Sequence, residues 1–170
     1  MQVRNLWRKK PVLVYPIPPA PPTAILVDGF RSEGNTRVFE NGWGEDAANF
    51  APSAIAATPA QLQSLPPVPS VRNALVALVR PNEANLSEDD REQLWRAFRV
   101  PVFEQRIDES CTLLAAECEA HDGLHVESPA ASPRPGEVLD TAPCGCGRTT
   151  PRLIAPERAA ILRKVAAYAR

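Results

Sequence analysis

The apolar positions of the chain fall into short runs of two periods. Residues 70–81 carry Val71, Leu75, Leu78 and Val79 at i, i+4, i+7 and i+8, one stripe of a helix that Ser70 can cap and Pro81 stops. A second helix is predicted from Ser87: its hydroxyl and the acids Glu88, Asp89 and Asp90 suit the positive end of a helix dipole, and Leu94, Trp95 and Phe98 face a core. Thr58 before Pro59 starts a shorter helix that ends before Pro66-Pro67. Pro156 opens a terminal helix whose expected buried face is Ile161, Leu162, Val165 and Tyr168.

The other runs read as strands. Residues 23–27 end at Asp28-Gly29 and residues 37–40 at Asn41-Gly42, turn dipeptides that suggest a small hairpin-like unit. Residues 100–107 are β-prone, and residues 112–118 and 124–127 flank the turn His121-Asp122-Gly123 as a β-hairpin. Residues 128–143, with Pro129, Pro133, Pro135, Gly136 and Pro143, read as a loop that returns the chain to Cys144, and Arg152-Leu153-Ile154 follows it. No internal repeat appears.

Proline changes this picture at the start of the chain. Pro11, Pro16, Pro18, Pro19, Pro21 and Pro22 remove backbone donors and favour polyproline II over a paired element. Residues 1–22 are therefore expected to form a stiff, extended lead-in to a single α+β domain at 23–170. Its N-terminal half is expected to be irregular, and a smaller β unit with flanking helices to follow. The full length of 170 residues suits one ordinary domain.

Lys and Arg number 19 against 20 Asp and Glu, so the basic footprint of a nucleic-acid binder or a polybasic membrane protein is missing. The basic stretch from Arg4 to Lys10 leads into Val12-Leu13-Val14, but Pro11 and Pro16 break that stretch before it could serve as a signal core or span a bilayer. A cytoplasmic location is expected, with no membrane and no nucleic acid as partner. Thiols stay reduced there, so the cysteines are better read as metal ligands or buried residues than as disulfides.

Cys144-Gly145-Cys146-Gly147 sets two thiols one residue apart, with glycines that allow a tight turn around one ion. That is half of a tetrahedral zinc site. Matching ligands occur at Cys118, His121 and His125, on the proposed hairpin, and spacing leaves His121 and His125 open as the fourth ligand. A closed four-ligand site implies structure and not Lewis-acid catalysis. Cys111 has no partner in the pattern and reads as a buried small hydrophobe. The Glu88-Asp89-Asp90 cluster needs only the helix dipole to explain it, Asp108-Glu109 reads as a polar loop, and Lys164 as a solvated residue. Trp7, Trp43 and Trp95 do not alternate with basic residues as a single-strand binding platform would.

Three segments carry a family resemblance: Val100-Pro101-Val102-Phe103-Glu104-Gln105, then Glu117-Cys118 through Gly123-Leu124-His125-Val126, then Pro143-Cys144-Gly145-Cys146-Gly147-Arg148-Thr149-Thr150-Pro151-Arg152-Leu153. Over about residues 86–154 the chain resembles the phenylacetate-CoA ligase branch of the adenylate-forming enzymes. The resemblance implies a structural zinc held by Cys118, His125, Cys144 and Cys146, because the G-x-H pattern of that branch falls on Gly123-Leu124-His125. It also implies motifs that this sequence lacks. No Gly/Ser/Thr-rich phosphate loop is present, and Arg106-Ile107-Asp108-Glu109-Ser110 stands where the aromatic-Gly-x-Thr-Glu segment belongs. After Arg152-Leu153 the family continues into a lid domain with a catalytic lysine, where this sequence has Pro156 and one helix.

The expected function is therefore a non-catalytic, zinc-stabilised module for binding or assembly with a protein partner, without catalytic residues. One alternative is a partial carboxylate-CoA ligase that needs a separate subunit for ATP binding and the lid. Another is a thiol redox or metal-handling protein.

Overall fold

The computed structural model describes residues 9–168; the basic residues before Lys9, and Trp7 with them, lie outside that range. One mixed sheet runs through the described residues, with nine strands in the order β2-β1-β3-β4-β5-β6-β7-β9-β8. Its first half is parallel: β1 (Thr23–Ile25), β2 (Thr36–Val38), β3 (Ala54–Ala57), β4 (Ala74–Val79) and β5 (Val102–Ile107). The second half is antiparallel: β6 (Leu113–Glu117), β7 (Leu124–Val126), β8 (Val138–Asp140) and β9 (Arg152–Ile154). Helices α1 (Glu45–Phe50), α2 (Pro59–Ser64) and α3 (Glu88–Phe98) connect the parallel strands, and α4 (Pro156–Tyr168) follows β9. The combination of helices and strands expected from the sequence is present, and the N-terminal half contributes the parallel part of the sheet. Among the described residues no helix is long and apolar enough to cross a membrane.

The helix expected over residues 70–81 is instead the central strand β4. Val76 and Leu78 pack in one core while Leu75 and Ala77 pack in the other, the alternation of a strand and not the stripe of a helix. The reason is burial on both sides. A strand covered on each face needs apolar residues at every position, and Ala74-Leu75-Val76-Ala77-Leu78-Val79 matches a helical stripe by default. The hairpin-like unit at 23–40 is likewise a parallel pair, β1 beside β2, with the intervening loop crossing the sheet face.

Two cores sit on opposite faces. Ala47 of α1, Leu62 of α2, and Leu94 and Phe98 of α3 pack on Ile55, Leu75 and Val102, so these three helices share one face. The other face is covered by Phe30 from the β1–β2 loop and Leu13 from the Pro-rich lead-in, with Tyr15 beside them. The described part of the lead-in, residues 9–22, contributes no strand to the sheet and is tied down singly: Gln105 Nε2 donates to Val14 O at 2.7 Å, and Arg31 N to Pro11 O at 2.9 Å.

Capping followed the sequence closely. Ser87 accepts from Asp90 N and Thr58 from Gln61 N, and in each case the third helical side chain returns a bond to the cap backbone. Helix α4 departs from expectation. Ala159 is buried, but Ile161, Val165 and Tyr168 are exposed. Periodicity identifies which residues share a face; it does not supply a surface to cover that face.

Candidate metal centre

The antiparallel half places three parts of the proposed ligand set. Successive residues of a strand point to opposite faces. At the end of β6, Glu117 therefore reaches Arg91 of α3 on the helix side, while the next residue, Cys118, lies on the opposite face. On β7, His125 pairs in register with Ala116, which places it on the Cys118 side. Gly123 makes the connection compact: its φ is +92°, and a Cβ there would stand 2.8 Å from Leu153 O. The loop before β9 supplies the rest. Gly147 N donates to Cys144 O at 3.0 Å, and Gly147 has φ +84°, a tight turn that carries Cys144 and Cys146 back to the hairpin.

One ligand atom from each of Cys118, His125, Cys144 and Cys146 lies within 4.8 Å of all the others. Cys118 Sγ is 3.6 Å from Cys144 Sγ, and Cys146 Sγ is 3.5 Å from His125 Nε2. A tetrahedral zinc with bonds of about 2.3 Å to sulfur and about 2.0–2.1 Å to nitrogen would have S–S and S–N edges of about 3.8 Å and about 3.6 Å. These two separations fall within about 0.2 Å of those edges, and the sulfur pair is far longer than a disulfide bond of about 2.05 Å. All three cysteines are free, as is Cys111, which is buried in the second core.

The surroundings orient the imidazole. His125 Nδ1 lies 2.9 Å from Thr150 Oγ1 and 3.2 Å from Thr150 O, so an N–H at Nδ1 has its acceptor and the Nε2 lone pair faces the thiols. Burial, then the positive charge of Arg148, hold the His125 pKa below its ordinary value, which favours the neutral, ligating form. The thiols diverge. Burial, with the Cys146 and Cys144 side chains, pushes Cys118 up to about 12. Cys144 is pulled below the usual thiol value: burial opposes this, but the Cys146 backbone N–H, the two neighbouring thiols and the Arg152 charge outweigh it. Three sulfurs and one neutral imidazole form a soft donor set that could hold a metal ion, and tetrahedral N/S coordination is the preference of zinc.

His121 stands apart from this cluster. Its Nδ1 is 3.1 Å from Glu117 Oε1, and its ring stacks on Phe103 with centroids 4.8 Å apart. Strand register thus brings His125, and not His121, to the three thiols.

No family model matches the chain, and no curated protein does. Solved structures do match. Against an open conformation of 2-hydroxyisobutyryl-CoA ligase in complex with 2-HIB-AMP and CoA, the TM-score is 0.53 at 15% identity, over 79% of this chain and 44% of the ligase. Against the same ligase in the postadenylation state with R3-HIB-AMP, it is 0.54 at 16% identity, over 80% and 43%. The likeness is one of fold. The chain spans less than half the length of that adenylate-forming ligase, and the match does not single out the phenylacetate-CoA ligase branch.

Sequence reasoning missed the charged residues inside the sheet. The run at 100–107 looked apolar, yet every residue of β5 is buried, Glu104, Gln105 and Arg106 included. Glu104 N donates to Glu117 Oε2 at 2.7 Å, and Arg106 forms a bidentate pair with Glu137. The alternation of Glu104 and Arg106 within an apolar strand was the available signal. The other acids behave as read. Asp108 Oδ1 accepts from Ser110 N and Thr112 N, both at 2.8 Å, and Asp90 is occupied in the α3 cap.

Proposed function

We propose that Cys118, His125, Cys144 and Cys146 hold one structural zinc ion. In this reading the chain is a module of the phenylacetate-CoA ligase branch that works in a reducing, cytosolic compartment by binding or assembling with a protein partner, and not as a catalyst. The observation that carries the metal reading is the convergence of four N/S ligand atoms within 4.8 Å from two segments distant in sequence. Zinc would supply a tetrahedral cross-link with no coordination position left for substrate. The branch is supported by Gly123-Leu124-His125 and by Cys144-Gly145-Cys146-Gly147-Arg148-Thr149. The non-catalytic reading is supported by residues 106–110, where Arg106 is paired with Glu137 and Asp108 is turned onto backbone N–H groups. The division into a lead-in at 1–22 and one domain at 23–170 belongs to the same proposal.

Two measurements test it. Thr150→Val removes the hydroxyl beside His125 Nδ1, and such partners of metal-bound histidines are worth about 10–100-fold in affinity. Competition with a chromogenic chelator is expected to show zinc held at least about tenfold more weakly by the variant. The Thr150 carbonyl remains beside Nδ1 in that variant, so the decisive control is His125→Ala, in which unchanged zinc affinity would remove His125 from the ligand set. The fold likeness to a CoA ligase favours a second reading, a partial carboxylate-CoA ligase completed by a separate subunit. Thermal-shift titration with ATP and magnesium separates the two: no shift is expected, and a saturable rise in Tm would replace the non-catalytic reading with the ligase one.

A further inference from the structure

The helix-bearing face of the sheet has a feature that the metal reading leaves unused. Between α3 and α4, above β5, β6, β7 and β9, lies a cavity of about 700 Å³. That is within the range of small-molecule sites. Trp95, Val102, Leu124 and Leu153 give it apolar walls. Glu104, Arg106 and Glu117 also line it, although each of them is buried.

The arginines on these walls are already committed. Arg91 pairs with Glu117 and Glu104, Arg106 with Glu137 and Glu104, and Arg158 with Asp122. An arriving anion would have to compete with a carboxylate already paired to each of these arginines. Carboxylates outnumber arginines: Glu88, Glu104, Glu117 and Glu137 face Arg91, Arg106 and Arg158, with His121 beside Glu117.

Glu104 decides the sign of the ligand. Its Oε2 accepts from Leu86 N at 3.2 Å, but Oε1 has no hydrogen-bond partner. The nearest cationic atom to Oε1, Arg106 Nε, stands 3.6 Å away and itself lacks an acceptor, so the two form an ion pair without a hydrogen bond. Burial pushes the Glu104 carboxyl up in spite of Arg106 and Arg91, so the cations in place leave its buried charge under-compensated. A buried carboxylate short of one donor, in a residue that lines a cavity where carboxylates outnumber arginines, favours a positively charged donor over an anion.

We propose that this cavity binds a small organic cation, an ammonium group on an apolar body, with the ammonium at Glu104 and the body against Trp95, Leu124 and Leu153. The chemistry is opposite in sign to that of a carboxylate substrate. The proposal stands apart from the metal reading, because the thiol cluster lies on the other face of the sheet.

The test uses the full chain as purified and three probes that share a ring and a two-carbon arm: 2-phenylethylamine, phenylacetamide and phenylacetate. Calorimetric titration is expected to show saturable binding of the amine, at least about tenfold tighter than the neutral amide, the worth of one charge-assisted hydrogen bond. Phenylacetate is expected not to bind. The amine should shift the Trp95 indole N–H resonance, and Glu104→Gln should weaken it by about tenfold or more. If that variant does not fold, the ranking of the probes and the Trp95 shift on the unmodified chain still decide. No saturable binding of 2-phenylethylamine, phenylacetate binding as tightly as the amine, or a Trp95 resonance that stays in place would overturn the proposal. Zinc content, read on the same samples, reports separately on the metal reading.

Discussion

Stripping zinc from the purified chain is expected to collapse the antiparallel half of the sheet. The reason is how little else holds that half together. Strands β7, β8 and β9 are three residues each, and their shared apolar cluster is only Ala115, Leu124 and Leu153, with Val126 and Ala131 at its margin. A core of that size rarely stabilises a fold without a cross-link, and the cysteines form no disulfide. Structural zinc sites contribute on the order of 10–16 kcal/mol of apparent binding free energy at neutral pH. Whole domains have about 5–15 kcal/mol of net stability, so losing the ion outweighs what the remaining contacts can offset. Metal analysis is expected to find about one zinc per chain, the stoichiometry of one closed four-ligand site. Cys144→Ser and Cys146→Ser should each lose it. Chelation of the unmodified chain should lower Tm by more than about 10 °C, since even 1 kcal/mol moves a domain of this size by a few degrees. A metal-free chain with an unchanged melting curve in chelator would sink the zinc assignment.

Val76→Asp is expected to prevent folding altogether. In a helix with Val71, Leu75, Leu78 and Val79 as its buried stripe, position 76 would lie away from that stripe and tolerate a charge. In β4 it is fully buried between β3 and β5 and packs with Ile25, Ala56 and Leu78 in the core under the Pro-rich lead-in. The side chains it packs with there are apolar, and burying a polar group unpaired costs several kcal/mol, more for a charge. Leu75→Ala, on the opposite face of the same strand, should cost about 2–5 kcal/mol through the cavity it leaves. Far-UV circular dichroism and urea denaturation check both. A folded, soluble Val76→Asp chain of near-normal stability would mean that β4 is not the centre of the sheet.

Where the sequence was legible, the signal was local chemistry. The caps at Thr58 and Ser87 need only neighbouring residues, and α2 and α3 begin where those residues predict. The turn at His121-Asp122-Gly123 was readable too, since Gly123 takes the positive φ there, although His121 also adopts one, at +52°. The segments that misled were those whose state depends on neighbours far along the chain. β4 and α4 illustrate opposite errors. The β4 run is apolar throughout because β3 and β5 flank it and both faces are covered. The α4 stripe is periodic but meets no covering surface among the described residues, so Ile161 and Val165 stay exposed.

The candidate metal centre divides along the same line. Residue type and spacing alone determined that Cys144 and Cys146 belong together and that their partners lie near Cys118, because a Cys-x-Cys turn can present two sulfurs to one ion wherever it folds. Which histidine lies beside the thiols follows from register. Pairing of β7 with β6 brings His125 opposite Ala116, on the thiol side, while the positive-φ turn sends His121 to Glu117 and Phe103. The buried charges of β5 and the cavity above them were also tertiary outcomes. Glu104 and Arg106 are tolerable in the sheet only because α3 brings Arg91, and the loop before β8 brings Glu137, within reach. Chain-local patterns specify caps, turns and ligand chemistry because those depend on short-range geometry. Burial, face and partner arise only when segments tens of residues apart meet.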